Sequence, residues 1–129
     1  MHTVDTIMSE MMKLRVHIAP VGFEIDRVVI PAIKMKADKV YLLRHDNYSE
    51  DKSGPYLDKI AKKLEKKDIE TKIVDVNRYK LFRIIKTVKE IIQSERDNDI
   101  YLNVASGSKI HAVGCMMACM IFDDRTNIH

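Results

Sequence analysis

Hydrophobic and polar positions along this chain alternate in some segments and recur at helical spacing in others. Short, β-rich apolar runs predict four strands, at residues 14–19, 39–44, 70–76 and 100–104. Apolar stripes at helical spacing predict four helices, which begin near residues 23, 54, 79 and 110. The resulting order, β-α-β-α-β-α-β-α, is typical of a parallel sheet with helices on both faces. We therefore predict an α/β, Rossmann-like fold with the strand order 3-2-1-4.

Three segments add detail to this prediction. The strand at 39–44 is continuously apolar and is expected to be buried on both faces, whereas the strand at 70–76 is amphipathic and suits a sheet edge. Pro31 lies inside the first helical stripe, so that helix either kinks or is divided there. Residues 1–12 have weak periodicity and are interpreted as a leader, which leaves residues 13–129 as a single domain.

The last predicted helix, over residues 110–122, is apolar on nearly every side, and His111 is its one strongly polar side chain. A helix that is apolar all round has to be covered all round. The sheet can cover one face, and something else, such as a second subunit, has to cover the other. If further strands normally follow this helix, they would cover part of the same surface instead.

Composition and charge are those of a soluble globular protein. Hydrophobic residues make up 46% of the chain and charged residues 32%, and the formal net charge is +3. A sequence-independent DNA binder usually concentrates more positive charge than this on one face. No apolar run approaches the roughly 18 residues of a membrane span, and the start lacks the apolar core of a signal peptide. We therefore expect a cytoplasmic protein with no membrane partner.

Candidate chemistry lies at the carboxyl ends of the predicted strands. Ligands of open parallel sheets bind there, where the strand order reverses, and the loops at residues 20–24 and 105–109 both have that position. The second loop offers backbone N–H groups at a helix start, the hydroxyls of Ser106 and Ser108, and Lys109, which together suit phosphate oxygens. The alternative is that Ser108 only caps the helix and the glycine only makes the turn. Neither loop has the spacing of a Walker A or G-x-G-x-x-G motif.

Other chemically capable side chains are grouped in two places. His111, Cys115 and Cys119 recur every four residues and could present three zinc ligands on one helix face. A single helix seldom completes a tetrahedral site, and small soft side chains also suit a tight helix interface. We therefore predict no metal and no other cofactor, and no disulfide between the two cysteines. Glu24 and Arg27 lie on the first helical turns, where a solvated surface is the default and ligand contact is the alternative.

Two stretches of the sequence resemble a known family. The run LRVHIAPVGFEIDRVVIPAIKMKADKVYLL and the run NVASGSKIHAVGCMMACM resemble the CARF domain, the CRISPR-associated Rossmann-fold sensor. The likeness covers roughly residues 12–122 and is nearest to the amino-terminal half of archaeal CARF transcription regulators, in which a winged helix-turn-helix follows the sensor. The resemblance implies a homodimer whose two-fold crevice binds a cyclic oligoadenylate second messenger, often cyclic tetra-adenylate.

The resemblance also implies which residues lie along the ligand. They are Pro20, Val21, Gly22 and Phe23 in the first loop, and Ser106, Gly107, Ser108 and Lys109 in the second. Some CARF proteins cleave their ligand with a hydroxyl and a lysine that align a ribose 2′-OH and steady the developing charge. Ser106, Ser108 and Lys109 are the candidates for such a catalytic role, but no general base can be assigned from the sequence. A non-enzymatic sensor is therefore favoured, with a metal-independent ring nuclease as the alternative.

The sequence departs from the CARF pattern in two ways. CARF domains usually continue with further strands after the last predicted helix, and no winged helix-turn-helix is recognisable here. We therefore expect a truncated or minimal sensor, in CRISPR-linked transcription regulation, that does not itself bind DNA. A third hypothesis is a dimerisation module without a ligand, in which replacing Ser106 or Lys109 costs no more than a helix cap, about 1 kcal/mol.

Overall fold

The structure is a computed structural model that describes residues 13–45, 52, 54–77, 79–122 and 127–128. Within these ranges the strands are β1 (Arg15–Pro20), β2 (Lys39–Arg44), β3 (Glu70–Asp75), β4 (Asp99–Leu102) and β5 (Asn127–Ile128). The helices are α1 (Asp26–Lys34), α2 (Gly54–Glu65), α3 (Leu81–Ser94) and α4 (Lys109–Phe122). The predicted leader over residues 1–12 lies outside the described residues.

The strands form one parallel sheet with the order β3-β2-β1-β4-β5. The predicted α/β class and the order 3-2-1-4 are thereby confirmed. The structure adds one strand to this order, because β5 follows α4 and pairs with Tyr101 and Leu102 of β4. A strand of two residues is too short to show the alternation by which strands are recognised in a sequence.

Apolar side chains form a separate core on each face of the sheet. One core joins the sheet to α1 and α2 and includes Leu42 and Ile60. The other joins it to α3 and α4 and includes Ile18 and Ile84. β2 is buried on both faces, as its continuous apolar run predicts. β3 lies at the sheet edge, and its Ile73 is exposed, which agrees with its amphipathic sequence.

Helix α1 continues through Pro31. Proline has no N–H, so the carbonyl of Arg27, four residues earlier, receives no helical hydrogen bond from it. Asn103 supplies the missing donor, since its Nδ2 lies 2.6 Å from the carbonyl oxygen of Arg27. Asn103 directly follows β4. The hydrogen bond to the Arg27 carbonyl, which Pro31 leaves without a helical donor, therefore ties α1 to the end of β4.

A buried polar network lies at the amino ends of the strands, at the edge of the sheet away from both loops. Glu95, which follows α3, is 6% exposed. Its Oε1 accepts hydrogen bonds from Lys39 Nζ at 2.7 Å and from the Tyr41 hydroxyl at 2.6 Å. Its Oε2 accepts a hydrogen bond from Asn98 Nδ2 at 2.7 Å. Both carboxylate oxygens therefore have partners, and the network joins α3 to the sheet.

Helix α4 packs closely on α3 and leaves an apolar face uncovered. A Cβ atom on Gly114 would lie 2.6 Å from Cγ2 of Ile84, so glycine permits the close approach of the two helices. The buried side chains of α4 are His111, Gly114, Cys115, Ala118 and Cys119. Its exposed apolar side chains are Val113, Met117, Met120, Ile121 and Phe122. None of the described helices, α4 included, combines the length and apolar character needed to cross a membrane.

Candidate ligand-binding site

The two loops singled out by the sequence touch each other between β1 and β4. We name residues 20–24 the β1 loop and residues 105–109 the β4 loop. Gly107 has a φ of 75°, in the left-handed region that favours glycine. A Cβ atom on Gly107 would lie 2.4 Å from Cβ of Pro20, and one on Gly22 would lie 3.1 Å from Cα of Gly107. The loops therefore meet at backbone distance where the strand order reverses, which is where sheets of this type bind ligands.

Asn103 holds the β4 loop against the rest of the fold. Its backbone N–H donates to the carbonyl of Ile18 at 2.9 Å, which extends the pairing of β4 with β1. Its side-chain Oδ1 accepts from the N–H of Ala105 at 2.9 Å, while its Nδ2 donates to the Arg27 carbonyl. The Arg27 guanidinium donates in turn to the Ala105 carbonyl at 3.2 Å. The buried residue Asn103 thus links β1 through its backbone, and α1 and the β4 loop through its side-chain amide.

A cavity of about 240 Å³ opens beside the contact between the loops. Three of its lining residues are buried polar ones, Ser106, His45 and His111, with exposures of 4%, 3% and 2%. Among the described residues the Ser106 hydroxyl oxygen has no hydrogen-bond partner. Leaving a buried polar group without a partner costs about 1–3 kcal/mol, which a ligand atom at this position would relieve. The other lining residues are Val21, Gly22, Phe23, Glu24, Arg27, Ala105, Gly107 and Ser108.

Helix α4 begins at the cavity. The Ser108 hydroxyl oxygen accepts a hydrogen bond from the backbone N–H of His111 at 3.2 Å, so Ser108 caps the helix, as one interpretation of the sequence expected. Capping does not exclude binding. Other N–H groups in the first turn of a helix lack intrahelical acceptors and carry partial positive charge. Together with the Ser106 hydroxyl, they give this end of the cavity donors for an anion.

Arg27 and Glu24 form an ion pair at the mouth of the cavity. Their side chains are 57% and 59% exposed, so the pair stabilises the fold by at most about 1 kcal/mol. A phosphate can replace the Glu24 carboxylate on the guanidinium, because arginine binds both groups with the same planar donor geometry. The structure therefore places both side chains beside the cavity, where a solvated surface was the default expectation.

The structure places most of the predicted site residues together. Val21, Gly22, Phe23, Ser106, Gly107 and Ser108 line the cavity. Pro20 is buried against Gly107, and Lys109 is exposed as the first residue of α4; neither lines the cavity. Sequence reasoning missed His45 and Asn103. Each is the first residue after a strand, β2 and β4 respectively, and a polar residue at that position is the signal that could have identified them.

The stripe of His111, Cys115 and Cys119 is divided between the cavity and the core. Across the described ranges no group of three His, Cys, Asp or Glu side chains is arranged to hold a metal ion. His111 lines the cavity, whereas the two cysteines are buried, without a disulfide between them, in the core shared by α3 and α4. Burial raises the pKa of the Cys115 thiol, which keeps it protonated and makes it a poor ligand.

Replacing Asn103 by aspartate is expected to lower the free energy of unfolding by about 2 kcal/mol. A carboxylate cannot donate to the Arg27 carbonyl and would repel it, although it can still accept from Ala105. Urea unfolding at neutral pH measures the change. Gln93→Glu, the same amide-to-acid change at an exposed position on α3, is the control and should stay within about 0.5 kcal/mol. Equal stability of Asn103→Asp and the wild type would contradict the bridging role of this amide.

Comparison with known proteins assigns the chain to a family. Residues 15–129 match the model of the family described as "HFX_2341_N:-like, N-terminal". The chain belongs to this family. One relative is uncharacterized protein MJ1513 of Methanocaldococcus jannaschii, which is 36% identical to this HFX_2341_N-like chain over 113 residues. The aligned region covers 84% of this chain and 34% of the relative. The chain thus spans about a third of the length of that relative.

Solved structures share the fold of this HFX_2341_N-like chain. Can2 from Sulfobacillus thermosulfidooxidans, in complex with cyclic tetra-adenylate, has a TM-score of 0.73 at 20% identity, over 88% of this chain and 31% of Can2. Csm6 from Enterococcus italicus, bound to cyclic hexa-2′-fluoro-hexa-dAMP, has a TM-score of 0.70 at 13% identity, over 90% of this chain and 33% of Csm6. A type III CRISPR defence DNA nuclease activated by cyclic oligoadenylate has a TM-score of 0.67 at 18% identity, over 88% of this chain and 18% of the nuclease. Can2 and Csm6 are CARF-domain proteins, and at these identities the likeness shows the fold.

Proposed function

We propose that this chain is a sensor domain that binds a cyclic oligoadenylate where the β1 and β4 loops meet. The observation that carries the proposal is the buried Ser106 hydroxyl, which lines the cavity and has no partner among the described residues. The fold supports it, since Can2 and Csm6 share this fold and were solved with cyclic oligonucleotides. The proposed role is ligand recognition in CRISPR-linked regulation, and it assigns no DNA-binding element to this chain.

Different parts of the cavity suit different parts of such a ligand. Phosphate oxygens would accept hydrogen bonds from the first-turn N–H groups of α4 and from the Arg27 guanidinium. The Ser106 hydroxyl and the imidazoles of His45 and His111 can bond to ribose hydroxyls or to adenine edges. Lys109, outside the lining, would add positive potential around the phosphates without contacting the ligand within this cavity.

The size of the cavity supports a site shared by two copies of the chain. Its volume of about 240 Å³ is below the 300–1,000 Å³ of typical small-molecule pockets, and a ring of four nucleotides is a large ligand. A two-fold axis would place two such cavities side by side and double the groups available to a symmetric ring. Helix α4 starts at the cavity and carries the uncovered apolar face, so its exposed side chains, with Met120 and Ile121 at their centre, are the proposed homodimer contact.

Calorimetric titration with cyclic tetra-adenylate and cyclic hexa-adenylate tests the proposal. We expect one ring to bind per two chains, and Ser106→Ala to weaken binding about tenfold through the loss of one hydrogen bond. Ser94→Ala is the control, because the Ser94 hydroxyl donates to the Ile91 carbonyl at 2.8 Å at the far end of α3. The absence of heat with either ring, on a folded dimer, would leave the ligand-free dimerisation module as the better hypothesis.

One observation favours a second candidate, a metal-independent ring nuclease. His45 and His111 both line the cavity and provide the imidazoles that the sequence did not assign as a general base. In this reaction the imidazole takes the proton of a ribose 2′-OH, the 2′-oxygen attacks the adjacent phosphorus, and the bond from phosphorus to the 5′-oxygen breaks as the imidazolium delivers a proton to that oxygen. The product is a linear oligoadenylate with a 2′,3′-cyclic phosphate. Chromatography after long incubation decides the matter, since recovery of the intact ring rules out cleavage.

A further inference from the structure

Phe23 is a large apolar side chain that lines the mouth of the cavity. It is 57% exposed, so at least part of its ring faces solvent. Its ring centroid lies 5.7 Å from that of Tyr56, and the two ring planes are at 84°. Edge-to-face contacts of this kind orient aromatic rings. A single exposed aromatic side chain is ordinary on a protein surface. Phe23 differs in that a second ring fixes its position at a cavity.

The backbone around Phe23 is also fixed. The N–H of Val21 donates to the Leu43 carbonyl at 2.9 Å, so the chain remains attached to β2 beyond the end of β1. Gly22 packs at backbone distance on Gly107. Tyr56 stands in the first turn of α2, on the same face of the sheet as α1. Phe23 therefore projects from a loop whose backbone is bonded to β2 and packed on the β4 loop, and its ring contacts Tyr56 of α2.

Groups that suit a phosphate lie beside this ring. Arg27 lines the same cavity, with its weakly held partner Glu24, and α4 begins there with its first-turn N–H groups. An aromatic face next to phosphate donors is the arrangement by which proteins bind single nucleotides, with the base stacked and the phosphate hydrogen-bonded.

We propose that Phe23 is a stacking platform for a purine base of the ligand, and that Tyr56 is the positioning residue that holds its ring. The inference rests on the proposed function, because a cyclic oligoadenylate presents an unpaired base and a phosphate together. The inference assigns base stacking to Phe23 and ring positioning to Tyr56, which does not line the cavity. It also implies a preference for ligands that have an unstacked base. Stacking depends on the π-face and not on hydrogen-bonding edges, so Phe23 contributes affinity more than base identity.

Tryptophan at position 23 makes this stacking visible. The wild-type chain contains no tryptophan, so Phe23→Trp introduces a single fluorescent reporter. We expect this variant to bind cyclic tetra-adenylate about as well as the wild type, and its emission to be quenched at saturation. Phe23→Ala should weaken binding about 10- to 100-fold, as expected for the loss of one base–aromatic stack. Phe82→Trp is the control, since Phe82 is 84% exposed on α3 and does not line the cavity; its emission should not change.

Two variants at Tyr56 test its positioning role. Tyr56→Phe keeps the ring and should preserve both affinity and quenching in the Phe23→Trp background. Tyr56→Ala should weaken binding several-fold and reduce the quenching. Circular dichroism establishes that the variant is folded, so that a loss of fold stability alone cannot explain either effect. Full affinity of Phe23→Ala, or an unquenched tryptophan at position 23 in a saturated protein, overturns the inference and leaves the proposed function standing. A wild-type chain that binds neither ring overturns both.

Discussion

Gly107→Ala is expected to lower the free energy of unfolding by about 2–4 kcal/mol and to abolish ligand binding. Alanine at a φ of 75° is strained, and its Cβ would lie 2.4 Å from Cβ of Pro20 and 3.0 Å from its carbonyl carbon. Backbone atoms cannot move aside as a flexible side chain can. The β4 loop would have to separate from the β1 loop, and the cavity between them would change shape. Urea unfolding and titration with cyclic tetra-adenylate measure the two effects.

Gly54→Ala is the matched control for this substitution. Apart from its chain neighbours and the backbone of its own helix, no described residue has an atom within 4 Å of where a Cβ on Gly54 would lie, and Gly54 opens α2 rather than lying in either loop. The change in unfolding free energy should stay within about 0.5 kcal/mol, and binding should be unaffected. If Gly107→Ala behaved like this control, the contact between the two loops would not be what shapes the cavity.

Glu95→Gln is expected to lower the free energy of unfolding by about 3 kcal/mol at pH 7. The carboxylate accepts hydrogen bonds from Lys39, Tyr41 and Asn98. An amide at this position leaves the Lys39 ammonium, whose side chain is 12% exposed, without its counter-charge. It also turns one acceptor into a donor that faces other donors. Glu90→Gln, at an exposed position on α3, the helix that precedes Glu95, is the control and should change stability by less than about 0.5 kcal/mol.

The same network makes the free energy of unfolding depend on pH in both the acid and the alkaline range. Burial alone would raise the pKa of Glu95, but the hydrogen bonds from Lys39, Tyr41 and Asn98 outweigh it and lower that pKa below 4.5. The stabilisation by Glu95 is therefore present above pH 4.5 and is lost as the pH falls through the lowered pKa. Burial first, and then the bond to Glu95, raises the pKa of Tyr41 from 10.0 to about 12, so its contribution is lost as the pH rises through that range.

The loss of stability at low pH is tested by comparing the unfolding free energies of the wild type and Glu95→Gln from pH 7 to pH 3. The difference between the two proteins should shrink below pH 4.5, because protonation removes the charge that the substitution also removes. Tyr41→Phe should flatten the alkaline limb between pH 10 and about 12 in the same way. A difference that stayed constant down to pH 3 would show that the charge of Glu95 does not contribute to the network.

The fold was predictable because apolar periodicity is a local property of the sequence. A strand buried on both faces is a continuous apolar run, and β2 has the predicted bounds of residues 39–44. Alternation of strands and helices leads to a parallel sheet, since right-handed crossovers leave few other topologies. The start of α1 was predicted three residues early, at residue 23 instead of Asp26. The apolar stripe there continues into the β1 loop, where Phe23 faces the cavity instead of a core.

The meeting of the two loops was predictable for a related reason. Neighbouring parallel strands end at the same edge of the sheet, so the loops after β1 and β4 had to lie close together. The strand topology places the loops and not their side chains. It therefore gave no reason to separate Ser106, buried beside the cavity, from Lys109, exposed outside it. The ligand itself remains a prediction of the CARF resemblance and the proposed function.

The sequence by itself determined the segments that form β1 to β4 and α1 to α4, which of their faces are buried, and which two loops meet. Only the tertiary structure decided what each buried face and each polar side chain contacts. Asn103 reaches a carbonyl 76 positions away that Pro31 leaves without a helical donor, and Tyr56 meets Phe23 from another helix. The physical reason is that a period of two or 3.6 residues reports the side of an element that is buried, whereas its partner depends on how the elements pack.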